Sequence, residues 1–297
     1  MIIVVNGSNR SAFSKVLEDF HRARHEVFVE AKGWEDLRKP DGLELDEYDR
    51  EDTIYLMAID QGRVLAGCRY TPTTAGPILA YKLYPDLFRV APPNHDSIVE
   101  ITRVFARTAP DTAISSGRSQ SVNRAADELL ASGPEFLRLF GCKGVVMLTE
   151  FKLVQAMLSW GCWPEPMGLP QDTRDGKLMA VVSHSTPLVA ANVRQARGIL
   201  GPQLAWAASP NDPPVLYADI LGCDPISAHW QVPGPDDPRY RTPLQLAHMS
   251  AFDLAHHLQG FGQGSLEVSV ESPPNLDPYV DPRKATPVHE MIFPMDV

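Results

Sequence analysis

The chain has 297 residues, enough for one large domain or for a domain of about 200 residues with an extension. Apolar residues make up 44% and charged residues 22%, which excludes disordered and fibrous classes. No apolar run reaches the roughly 20 residues of a membrane span, and a net charge of −10 argues against a nucleic-acid surface, which needs clustered Lys and Arg.

The opening residues IIVV predict a short strand, and the run is too short and wrongly flanked for a secretory signal. Across residues 13–31 the apolar positions 13, 16, 17, 20, 23, 27, 28 and 31 follow the helical period. Residues 53–60 and 63–71 read as two strands joined by a tight Gln61-Gly62 turn. A third long strand is expected over 98–107, a helix over 123–140 and a buried strand over 145–149. A helix over 151–160, stopped by Gly161, and a strand over 178–184 complete this part. Hairpins followed by strand–helix–strand units predict an α/β fold, a mixed sheet with helices on both faces.

Composition shifts near residue 200. Residues 191–297 hold 15 of the 27 prolines but only 6 of the 27 Lys and Arg, and carry −6 of the net charge. Clusters such as Pro213-Pro214 and Pro273-Pro274 remove ladder donors and break helices, so only one helix is expected there, over 243–259 with Pro243 in its first turn. The expected division is a domain at 1–200 and a proline-rich extension at 201–297, packed on the core or holding a homodimer. Cys68, Cys142, Cys162 and Cys223 are scattered without a C-x-x-C pair. Neither a disulfide scaffold nor a zinc ribbon is expected, and reduced thiols in a cytoplasmic protein are the default. His248 and His256 share a helical face but lack acidic or cysteine companions, so no metal site is expected.

The informative positions are charges where the period asks for apolar residues. Arg24 shares a helical stripe with Phe20 and Phe28. It needs acceptors if buried, or is a snorkelling arginine at the core edge. An acidic segment, LELDEYD at 43–49, reads by itself as a solvated loop. Arg69 follows Gly67 on one strand face, and Val99, Ile101, Arg103 and Phe105 share another, while Glu100 points the other way. A β-bulge must lie between Glu100 and Arg103 if both serve one site. Asp46, Asp49, Arg69 and Arg103 are expected to form one buried, mutually neutralising network.

These residues resemble one family: the acyl-homoserine-lactone synthases, the LuxI-type autoinducer synthases of bacterial quorum sensing. The resemblance runs through Arg24, Phe28 and Trp34 in RHEVFVEAKGW, Asp46 and Asp49 in ELDEYD, Arg69 in GCRYTPT, and Glu100 and Arg103 in EITRVFA. TEFKLVQAMLSWG and MGLPQDTRDG extend it to about residue 190, leaving the last hundred residues outside. It implies a three-layer fold related to N-acetyltransferases, with the sheet splayed into a cleft. It also implies transfer of an acyl group from acyl carrier protein or acyl-CoA to the amine of S-adenosylmethionine. The carboxylate of the acylated product then closes onto its own γ-carbon and expels methylthioadenosine.

On that reading S-adenosylmethionine is a substrate and no cofactor is needed. Phe28 and Trp34 offer ring faces to the sulfonium, and Arg24 suits a carboxylate or adenosine partner. Asp46, Asp49, Arg69 and Arg103 belong to the catalytic set. Glu100 is the candidate base, directly or through a water, although backbone carbonyls could do the same work. Thr149 and Phe105 are placed beside the acyl chain, Thr149 with the alternative of a plain strand-end residue. No nucleophile is required, so no cysteine is expected to be catalytic. Two alternatives remain open: an acetyl-CoA-type N-acyltransferase, against which the single glycine of GRSQSVNRA counts, and a synthase-like binding protein without turnover. Nucleic-acid and membrane partners are not expected.

Overall fold

Why the chain builds a two-sided sheet is visible in its first strand. In the computed structural model, which describes residues 1–107, 117–226 and 236–259, β1 (Ile2–Val5) is buried along its whole length. Ile2 and Val4 enter one core while Ile3 and Val5 enter the other, as alternation requires. Helix α1 (Ser14–Arg24) covers the second core with Val16, Leu17, Phe20 and Ala23. It continues as a π-helix, His25–Ala31, and ends at Gly33, whose φ of +72° suits a residue without Cβ. The single helix expected over 13–31 is therefore two helical forms in series.

The hairpin β2 (Ile54–Asp60) and β3 (Arg63–Pro72) turns at Gln61-Gly62 as expected. Gly67 on β3 is a required glycine, since a Cβ there would lie 2.5 Å from Phe20 Cε2. A short helix α2 (Leu79–Leu83) precedes β4 (Ile98–Ala106). Helix α3 (Gly117–Leu139) covers the first core, with Phe136 stacked on Tyr70 at 4.4 Å between ring centroids. Then come β5 (Gly144–Glu150), α4 (Phe151–Ser159), the short strands β6 (Glu165–Pro166) and β7 (Gln171–Thr173), β8 (Gly176–His184) and α5 (Pro187–Ala196).

The residues expected to form an extension contribute to the same sheet. Strand β9 (Leu204–Trp206) pairs parallel with β1, and β10 (Val215–Leu216) pairs with β9. The sheet order is β10-β9-β1-β2-β3-β4-β5-β8-β6, with β7 beside β8. Buried Glu135 of α3 receives the N–H groups of Gln203 and Leu204 at 2.9 and 3.1 Å and pairs with Arg194 at 2.7 Å, which holds the start of β9. Helix α6 (Tyr217–Leu221) brings Tyr217 into the first core.

The helix expected over 243–259 is broken into α7 (Pro243–Ala247) and α8 (Ala251–Gln259). The break has local causes. Asn6 donates to the carbonyls of Ala247 and Met249, His248 Nδ1 accepts the Gly7 N–H at 3.0 Å, and Ser250 Oγ accepts the N–H of Asp253. Leu246, Ala251, Leu254 and Leu258 then join the first core. Residues 260–297, including the Pro273-Pro274 cluster, lie outside the described residues. Among those described, no helix is long and apolar enough to cross a membrane.

Candidate active site

The site begins with one extra residue in β4. Arg69 faces Thr102 and Gly67 faces Phe105 across the β3–β4 ladder, so Arg103 and Val104 together oppose Cys68. This is the β-bulge that a joint site requires, and Arg103 occupies it at φ +53°. A regular strand would have grouped Val99, Ile101, Arg103 and Phe105, and the bulge corrects that expectation. Val99 and Ile101 remain in the α3-side core, whereas Phe105 crosses to the α1 side and packs edge-on against Phe20 and Phe28. Arg103 is re-aimed with it, a guanidinium over Phe28 and Trp34 at 5.7 and 5.8 Å.

The acidic segment 43–49 is not a solvated loop. Arg69 donates to both oxygens of Asp46 at 2.5 and 3.0 Å and lies 3.0 Å from Asp49. Arg103 reaches Asp46 at 3.0 Å, so the four expected members do meet. Two further members complete the cluster. Arg24 donates to Asp49 at 2.7 Å and to Glu44, and Glu44 also accepts from Arg103 at 3.1 and 3.2 Å. Three guanidinium groups thus meet three carboxylates, with Tyr55 donating to Asp49 and Arg69 to Thr102 at the edges.

Zero net charge is what lets this cluster sit out of water, because each ion's desolvation is offset by its partners. Burial alone would raise the Asp49 carboxyl, but Arg24 and Arg69 hold it well below the usual carboxylate range. Asp46 is likewise kept low against its burial by the hydrogen bond and charge of Arg69. His21 is pushed down to about 4, first by burial and then by the charge of Arg24. It stays neutral beside the cluster.

The exposures divide the cluster. The side chains of Arg24 and Arg69 are 0% exposed and those of Glu44 and Asp49 1%, whereas Arg103 is 7% and Asp46 16% exposed. Only the last two line the cavity beside them, which has a volume of about 700 Å³. β4 and β5 are paired in parallel from Ile98/Gly144 to Glu100/Val146. Beyond that point the cavity opens between Ile101–Phe105 on one side and 147–150 on the other. Phe28, Trp34, Phe105 and Thr149 line it as well.

Arg24, Asp49, Arg69 and Glu100 do not line it. Arg24 is neither a snorkelling surface residue nor free for a carboxylate ligand, since its fork is already engaged by Glu44 and Asp49. Glu100 is fully buried, and its two oxygens accept the N–H groups of Leu79 and Ala80 at 2.9 and 2.8 Å. It therefore anchors α2, whose Leu79, Ala80, Lys82 and Leu83 form part of the cavity wall. Burial raises the Glu100 carboxyl, although those two N–H groups oppose the shift. Phe28 and Trp34 stack on one another at 5.1 Å and 17°, so only their outer surfaces are open to a ligand.

Glu44 is the cluster member that sequence reading missed. The signal was arithmetic: three arginines in apolar patterns require three buried anions, and Asp46 and Asp49 supply two. Cys68, Cys142 and Cys162 are buried thiols, with Cys142 pushed up to about 12 and Cys162 to about 11 by that burial. They are poor nucleophiles. Among the described residues, no group of three or more His, Cys, Asp or Glu is arranged to hold a metal ion.

A family model described as "Autoinducer synthase" matches residues 8–187, a span that contains the whole ionic cluster and the β4–β5 cleft. The chain belongs to the autoinducer synthase family. Relatives include the isovaleryl-homoserine lactone synthase of Bradyrhizobium diazoefficiens, 34% identical over 61% of this chain and 78% of the relative. The acyl-homoserine-lactone synthase of Acinetobacter nosocomialis is 31% identical over 59% of this chain and 95% of its own. Among solved structures, the CoA-dependent acyl-homoserine lactone synthase BjaI, with SAM and isopentyl-CoA, superposes with a TM-score of 0.61 at 29% identity. That superposition covers 72% of this chain and 95% of BjaI. The synthase is thus an acyltransferase of quorum-sensing signal synthesis, built on the mixed sheet of its relatives.

Proposed function

We propose that the synthase joins S-adenosylmethionine to the acyl group of a coenzyme A thioester at the mouth of the β4–β5 cavity. The observation that carries this reading is the convergence of Arg103, Asp46 and the Phe28–Trp34 stack on the open end of a largely apolar cavity that passes Phe105 and Thr149. The outer ring face of Trp34 and the carboxylate of Asp46 favour a sulfonium cation. Arg103, held by Glu44 and Asp46, is the one guanidinium of the cluster that faces the cavity, and it suits the methionine carboxylate or the thioester oxygen. Arg24, Arg69, Asp49 and Glu44 hold that pair in place.

The amine of S-adenosylmethionine attacks the thioester carbon as a neutral nucleophile. Its proton leaves to a main-chain carbonyl of the cleft, since Glu100 is buried, engaged with α2 and off the cavity wall. Collapse of the tetrahedral intermediate breaks the C–S bond and frees coenzyme A thiol. The carboxylate of the acylated product then attacks its own γ-carbon, and methylthioadenosine departs. Sulfonium is a good leaving group, so this step asks the site for orientation more than proton transfer.

Coenzyme A is preferred over a carrier protein on two grounds. Two similar solved synthases, at 29% and 27% identity, are described as CoA-dependent. An acidic carrier would seek a basic face, yet Arg124 is paired with Glu128 at 3.0 Å and Lys152 with Glu150 at 2.8 Å. The test gives purified synthase S-adenosylmethionine with one acyl group on coenzyme A and, separately, on acyl carrier protein, and measures lactone and methylthioadenosine by mass spectrometry. The coenzyme A thioester should give the higher kcat/KM. A higher value on the carrier overturns the donor assignment, and absence of lactone from both overturns the reaction.

A further inference from the structure

The cavity continues past the reacting end. Thr149, Met147 and Val145 alternate along β5 to line it, and Val145 lies four residues, roughly 13 Å at ~3.3 Å per residue, below Thr149. At that depth the sheet, with Val145 and the paired Ser183 and His184 of β8, forms only part of the wall. The rest includes Met157 and Trp160 at the end of α4 and Val189 and Val193 of α5. Helix α5 begins at the last residue matched by the family model, so this end of the cavity is closed in part by chain outside the match.

That wall is fixed from behind. Trp160 is 8% exposed, with one side toward the cavity and the guanidinium of Arg197 at 4.5 Å from its ring centroid. Arg197 in turn pairs with Asp127 of α3 at 3.4 Å. One turn earlier Arg194 pairs with buried Glu135. Val193 therefore sits on a helix tied at two points to α3 and cannot withdraw without breaking a buried or half-buried ion pair, while Trp160 cannot withdraw without giving up its contact with Arg197. An apolar chain entering from Arg103 and Thr149 meets a stiff apolar stop.

We propose that Val193 and Trp160 are the specificity-determining residues for acyl length, the stop against which the ω-end of the acyl group rests. The assignment rests on the acyl-donor reading above. A pocket end discriminates by volume, and one methylene too many or too few in an apolar pocket changes specificity by about tenfold or more. Filling the end with Val193→Phe shortens the preferred chain, and emptying it with Val193→Ala or Trp160→Leu lengthens it.

The experiment measures kcat/KM for a series of straight-chain acyl-CoA donors with the parent and the three variants, after thermal unfolding has confirmed that each is folded. The long-to-short ratio is expected to fall at least about tenfold in Val193→Phe and to rise in Val193→Ala. A merely structural role would lower all donors together and leave the ratio unmoved. Parental ratios in folded Val193→Phe and Val193→Ala overturn the assignment while lactone synthesis stands. Lactone from no acyl-CoA, even with the parent, overturns the coenzyme A reading, and the same series is then read on acyl carrier protein; lactone from neither carrier overturns the reaction itself and this assignment with it. Should Val193→Phe not fold, Val193→Ala decides.

Discussion

Replacing Glu44 by alanine should unbalance the ionic cluster more severely than any surface charge change. Glu44 is 1% exposed and accepts from Arg24 and from Nε and Nη2 of Arg103, so its loss leaves three guanidinium groups facing two carboxylates. Breaking a buried pair by removing one partner costs about 3–5 kcal/mol, mostly the uncompensated charge left behind. At roughly 2–4 °C per kcal/mol for a chain of this class, the melting temperature should drop by on the order of 10 °C. Arg103 should also lose its fixed direction, weakening S-adenosylmethionine binding. Thermal unfolding followed by circular dichroism, with calorimetric titration of S-adenosylmethionine, reads both effects. Glu44→Gln, which keeps the shape and one acceptor, should fall between. A Glu44→Ala protein that melts within about 1 °C of the parent and binds its substrate unchanged would show that the cluster is not neutralised as described.

Acid should destabilise the protein through His21. His21 has an ordinary value of 6.5 and is pushed down to about 4 in the fold, so between those pH values the unfolded chain binds the extra proton. Stability then rises with pH through that window and is lost as pH falls from 6.5 toward 4, by an amount on the order of 3 kcal/mol. Urea titrations across this range should show the slope, and His21→Asn should flatten it. Unchanged pH dependence in the variant would remove His21 from the account. Gly67→Ala places a methyl 2.5 Å from Phe20 Cε2 and should cost about 1–3 kcal/mol by overpacking, read as a lower urea midpoint at unchanged slope. A neutral result would mean that Phe20 swings aside freely.

The hairpin β2–β3 was legible because apolar alternation and the Gln61-Gly62 turn are local signals. The four-membered ionic core was legible for a similar reason, since Arg69 interrupts an apolar strand and must be paired. The bulge at Arg103 could be required by the site but not read from residue type, because an arginine at φ +53° carries no glycine to announce it. Glu44 was hidden by sitting among other acids in a segment that looks solvated until Arg24 is counted. Strand β9 was hidden differently. Three residues, LAW, between prolines give no period, and what makes them a strand is a partner about 200 positions away. The break between α7 and α8 has the same origin, since Asn6 and Gly7 take the hydrogen bonds there.

That distant pairing has a consequence for how the protein is made. β1 emerges ahead of both its partners and finds β2 within some fifty residues, yet its other edge stays open until β9 is synthesised. At the usual 5–20 residues per second, that interval is on the order of ten seconds. During it the nascent chain offers IIVV, apolar at every position and without a proline or charge to blunt it, as a template for any other extended segment. A message truncated before the codon for Leu204, or a ribosome stalled there, would release chains whose adhesive edge lacks its β9 partner. Their expected fate is capture by holdase chaperones or pairing with one another.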